Sequence, residues 1–154
     1  MSPVQTNTQQ GLVVAPATSD LSTSIGCFAN VGTDGNVAVV SQAGGFALYV
    51  IENAYASGGI ITPPSGVATG AAYWVDLRPL SPDRNVRVLN GTTAIATPGA
   101  LVTSDASGKL APASTGSYVL GYTENSYGTT ADYPTVAGQY TLIRPLGGIQ
   151  TKSA

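Results

Sequence analysis

The chain has 154 residues, of which only 9% are charged, and six Lys or Arg against eight Asp or Glu leave a net charge of -2. That length supports one self-sufficient hydrophobic core, and so few scattered cations exclude a basic stripe that tracks phosphates. With no histidine and a single cysteine, histidine-based catalysis, zinc clusters and an internal disulfide are excluded as well.

Residues 1–10 carry neither a basic side chain nor an apolar core, so no secretory signal is expected there. No apolar run in the chain reaches the roughly 18 residues of a membrane helix. Residues 1–24 are rich in Thr, Ser and Gln, with one apolar patch at Leu12, Val13, Val14 and Ala15. Such a segment buries little surface of its own and is expected to be an extended arm that orders on a partner.

A single β domain is expected over 25–148, followed by a polar tail at 149–154. Its first unit, about 26–56, places short apolar runs around a Gly44-Gly45 turn. Cys27, between Gly26 and Phe28, reads as a small buried apolar residue. Residues 57–70 are a loop by composition, and 71–80 form a strand with Tyr73, Trp74, Val75 and Leu77. Asn90-Gly91, between Val86-Arg87-Val88-Leu89 and Thr92-Thr93-Ala94-Ile95, predicts a two-residue hairpin turn. A second unit covers about 99–127, and Tyr140-Thr141-Leu142-Ile143-Arg144 predicts the last strand. With 19 Gly and 10 Pro spread through the chain, no helix of ten residues is expected.

The two units resemble each other. Asp34-Gly35-Asn36-Val37 matches Ser107-Gly108-Lys109-Leu110 at an offset of 73, and Gly44 to Tyr55 matches Gly116 to Tyr127 at an offset of 72. Each unit ends on Glu-Asn-x-Tyr: Glu52, Asn53 and Tyr55, then Glu124, Asn125 and Tyr127. This is the pattern of a duplicated hairpin, and two copies are too few for a solenoid.

Without histidine, acid–base chemistry would fall to carboxylates. Glu52 and Glu124 form the one symmetric pair, and across a cleft they would suit glycoside hydrolysis. Their recurrence at the end of a strand favours a structural job, accepting turn N–H groups or pairing with an arginine. Asp34-Gly35-Asn36 and Asp105-Ala106-Ser107-Gly108 lack the ligand spacing of a calcium loop and read as turns. The tyrosines and Trp74 would serve a β core, an interface or a sugar platform. No enzymatic activity, cofactor, metal, nucleic acid or membrane partner is expected.

Gly99-Ala100-Leu101-Val102-Thr103-Ser104-Asp105-Ala106-Ser107-Gly108-Lys109-Leu110-Ala111-Pro112-Ala113, with Gly116 and Val119-Leu120-Gly121-Tyr122-Thr123-Glu124, resembles the capsid decoration, or cement, proteins of tailed bacteriophages. The first unit, with Gly35-Asn36-Val37-Ala38 and Leu48 to Ala54, is similar to the other half of such proteins. The extra loop at 57–70 and the Trp74 strand depart from that pattern. The resemblance implies an all-β barrel or tulip-like body on the outer capsid surface of a virion, often trimeric. It also implies an N-terminal arm laid on the major capsid protein, which makes Leu12, Val13 and Val14 the expected capsid-binding residues. The alternative is a receptor- or glycan-binding β module with an exposed aromatic cluster at Tyr73 and Trp74.

Overall fold

The computed structural model describes residues 12–55, 73–125 and 132–146. They form ten strands: β1 (Val13–Ala17), β2 (Phe28–Val31), β3 (Val37–Val39), β4 (Tyr49–Tyr55), β5 (Tyr73–Pro79), β6 (Val86–Leu89), β7 (Leu101–Ser104), β8 (Leu110–Pro112), β9 (Gly121–Thr123) and β10 (Tyr140–Pro145). Among the described residues the one helical element is a single 3-10 turn at Ser22–Ser24. Gly, Pro and Thr recur too often for a long helix, while Val, Ile and Tyr between turn residues favour short strands.

Two five-stranded antiparallel sheets result, ordered β1-β5-β4-β2-β3 and β6-β10-β9-β7-β8. Adding five to each label of the first order produces the second. Neither sheet is closed into a barrel; one parallel bridge, Asn90 to Leu110, brings the end of β6 against β8.

Individual hydrogen bonds recur at matching positions of the two halves. Gly26 N–H donates to the Ile51 carbonyl at 2.8 Å and Gly99 N–H to that of Thr123 at 2.7 Å. Val40 N–H donates to Phe28 and Ala113 N–H to Leu101, both at 2.9 Å, and Leu80 N–H donates to Leu48 as Leu146 N–H does to Leu120. The tight turns before β3 and β8 both need a glycine with positive φ, Gly35 at 81° and Gly108 at 78°, a region that costs other residues strain.

Two cores hold the sheets. The larger joins them, packing Phe28, Val50 and Leu80 of the first half against Val86, Val88, Val102, Leu110, Leu120 and Ile143 of the second. The smaller lies on the opposite face of the first sheet, with Ala15, Ala17, Ala29, Val37, Ile51, Val75 and Leu77. The fully buried Val, Leu, Ile and Phe side chains each contribute about 1.5–3 kcal/mol. Cys27 is buried as expected, and burial pushes its thiol pKa up.

Two sequence expectations change. Residues 13–17, read as part of an arm, pair with β5 from Val13 opposite Leu77 to Ala17 opposite Tyr73. Ala15 and Ala17 are buried in the second core, so part of this polar-rich segment joins a sheet. The Asn90-Gly91 hairpin does not form: β6 pairs with β10, and residues 92–94 are not a strand. Gly91 is not among the positive-φ glycines.

Candidate functional site

The expected capsid-binding residues sit where the N-terminal segment enters the fold. Leu12 is half-buried, and Val13 and Val14 are exposed at the start of β1. Among the described residues β1 hydrogen-bonds to β5 alone, while its chain also comes close to β3 at the far end of the same sheet. An edge carries unpaired backbone groups, and Pro16 removes one donor from it. Residues 1–11 of the expected arm, and the loop at 57–70, lie outside the described residues.

The Glu-Asn-x-Tyr residues do different work in the two halves. A bulge in β4 between Ile51 and Asn53 leaves Glu52 without a strand partner. It turns toward Arg78 of β5, whose Nε and Nη2 donate to the two carboxylate oxygens at 2.6 and 2.9 Å. This bidentate pair holds the Glu52 carboxyl below its ordinary pKa. Asn53 accepts from Ala54 N–H and donates to the Tyr55 hydroxyl, which donates to Asp76 at 2.9 Å. That bond to an anion pushes the Tyr55 phenol pKa up.

Glu124 faces Arg144 of β10 at 3.6 Å, an ion pair longer than a hydrogen bond. Its backbone carbonyl accepts from the Tyr133 hydroxyl at 2.8 Å, and Arg144 Nη1 donates to the Pro82 carbonyl. Asn125 is exposed, and Tyr127 lies outside the described residues. Each glutamate thus faces an arginine of its own sheet. The arginines themselves were missed in the sequence, although Leu77-Arg78-Pro79-Leu80 and Ile143-Arg144-Pro145-Leu146, 66 residues apart, signal them.

Asn90 and Gly91 are buried at a junction. Asn90 Nδ2 donates to the Val136 carbonyl at 3.0 Å, its N–H to Gln139, and Gly91 N–H to Leu110. A Cβ at Gly91 would stand 2.9 Å from the Leu110 carbonyl, so this glycine serves close approach and not a turn.

Two shallow open spaces are lined by described residues. A cleft of about 410 Å³ between the sheets is walled by Glu52 and Arg78 on one side and Arg87 and Tyr140 on the other. A groove of about 520 Å³ runs along Gly44, Ser104, Asp105 and Gly116. Among the described residues no group of three His, Cys, Asp or Glu could hold a metal ion, and no helix is long and apolar enough to cross a membrane. Trp74 is buried, so it presents no exposed face for stacking on a sugar. Compared with known proteins, the chain matches no family model and no curated protein.

Proposed function

We propose that this chain is a capsid decoration, or cement, protein, which docks on the outer surface of an assembled viral head and bridges major capsid protein subunits. The observation that carries this reading is the β1 edge, whose exposed Val13 and Val14 lead directly into an apolar-poor N-terminal segment. Such an edge suits pairing with an extended partner or laying the segment along one. A weakly charged exterior, with few like charges to oppose association, supports the same reading. So do the resemblance of residues 99–124 to that family and an architecture of two like-connected sheets, which we take to descend from one duplicated unit.

Docking of this kind stabilises a shell by mass action, because a ligand bound only to the assembled form lowers that form's free energy. Many weak copies spanning neighbouring subunits add avidity without any single strong contact.

The test is co-sedimentation of the full chain with expanded phage heads. The expected result is saturation at a fixed ratio to capsid subunits, with loss of binding in a Val13→Asp, Val14→Asp double variant and in a chain lacking residues 1–11. Absence of binding to any expanded head retires the reading.

A further inference from the structure

The two halves of the molecule touch through unlike surfaces. The second half supplies the Gly108 and Ser104 carbonyls, which accept from Phe28 and Gly44 N–H at 2.7 Å each, and Tyr118 N–H, which donates to the Gly44 carbonyl at 2.9 Å. The first half supplies a surface of Gly26, Phe28 and Gly44. A Cβ at Gly26 would meet Leu89 at 3.2 Å, one at Gly44 would meet Ser117 at 2.9 Å, and one at Gly108 would meet the Phe28 carbonyl at 3.0 Å. All three glycines are therefore closed over by the opposite half.

Shifted by the 73- and 72-residue offsets, the reciprocal contact would join Leu101 to Gly35, and Gly116 to Val31 and Phe46. The molecule does not make it. A Cβ at Gly35, Gly99 or Gly116 meets nothing within 4 Å. Leu101 is 51% exposed where its counterpart Phe28 is 0%, and Val31 is 36% exposed where its counterpart Ser104 is 1%. Phe46 and Leu48 are exposed too, yet held firmly: Asn30 donates to the Phe46 carbonyl and accepts from Leu48 N–H, both at 2.8 Å. Apart from the Phe46 ring, whose edge-to-face contact with Tyr118 lies within the molecule, each half thus leaves unused the surface that the other half employs.

We infer that these two unused surfaces mate between chains. The surface at Gly99, Leu101 and Gly116 of one chain receives Val31, Gly35 and Phe46 of a second, repeating the contact that joins the halves. By transposition, Leu101 N–H meets the Gly35 carbonyl, Gly116 N–H meets the Val31 carbonyl, and Phe46 N–H meets the Gly116 carbonyl. The contact between chains is weaker than the internal one. Leu89 N–H donates to Gly26 within the molecule, but the counterpart of Leu89 is Pro16, which has no N–H, and the counterpart of Tyr140 is the buried Trp74. Contacts between unlike surfaces run head to tail and either close into a ring or extend as an open chain. The inference rests on the matched halves and not on docking to a shell. A monomeric chain that still decorates heads would remove it alone, and self-association without head binding would remove only the proposed function.

The test is sedimentation velocity of the full chain over a range of concentrations, with Leu101→Asp blocking one surface and Val31→Asp the other. The wild-type mass is expected to rise above 15.5 kDa with concentration, and each variant to stay at that mass. An equimolar mixture of the two variants, which retains one good surface of each kind, is expected to form a species of twice that mass and nothing larger. Should either aspartate variant lose cooperative thermal unfolding, Leu101→Ser and Val31→Ser replace the pair. A wild-type chain that stays monomeric, association that survives both substitutions, or folded variants that fail to pair would each overturn the inference.

Discussion

Phe46 and Tyr118, which stand at matching positions 72 residues apart in the two halves, meet edge to face with ring centroids 5.8 Å apart and 75° between their planes. Such pairs add about 0.5–1.5 kcal/mol beyond the area they bury. The contact lies where the two halves adjoin, so equivalent residues have come to unequal settings: Phe46 is exposed and Tyr118 half-buried. The same inequality governs most of what can be tested in this molecule.

The Glu52–Arg78 pair is bidentate but partly solvated, with side chains 41% and 19% exposed. Arg78→Met is expected to cost roughly 1 kcal/mol or less at neutral pH, after discounting for solvent screening. Because the folded-state pKa of Glu52 is depressed, the contribution is present above the unfolded carboxylate pKa, about 4.3, and is lost as pH falls through the folded value. Urea unfolding of both proteins at pH 7 and pH 3 should show the difference shrinking in acid; a constant difference would assign the effect to packing.

Gly35 and Gly108 have the same backbone conformation and different surroundings. Gly35→Ala should cost only the strain of a side chain at positive φ, about 1–2 kcal/mol. Gly108→Ala must in addition displace Val39 or the Phe28 carbonyl, adding roughly 1–3 kcal/mol. Equal denaturation midpoints for the two variants would contradict this account of the junction.

Thr135 is buried and exchanges two hydrogen bonds with Ile95, accepting its N–H on Oγ1 and donating its own N–H to the Ile95 carbonyl, each at 2.9 Å. Thr135→Val leaves a buried N–H unpaired and should cost about 1–3 kcal/mol. Thr135→Ser keeps the hydroxyl and should recover most of that loss, as read from thermal midpoints.

Cys27 is buried and its thiol pKa is raised by burial, so little of the reactive thiolate forms at neutral pH. A thiol reagent should modify the native chain slowly and the urea-unfolded chain at once. Fast modification of folded protein would place Cys27 on an accessible surface instead.

Much of this architecture was written locally. Positive-φ turns at Gly35, Gly44 and Gly108, strands of Val, Ile and Tyr, and the absence of long helices among the described residues all depend on residues within a few positions of one another, where backbone sterics and side-chain bulk decide. Buried Cys27 followed from its apolar neighbours in the same way. Asn90-Gly91 shows where that logic ends, because its local preference for a tight turn lost to long-range bonds with Val136, Gln139 and Leu110. Likewise Glu52 and Glu124 could be seen to recur, but their engagement by Arg78 and Arg144 arose only when β4 met β5 and β9 met β10. Equal residues became unequal for the same reason: Phe28 was covered and Leu101 left open because burial depends on what arrives from elsewhere in the chain, which no short stretch of sequence encodes.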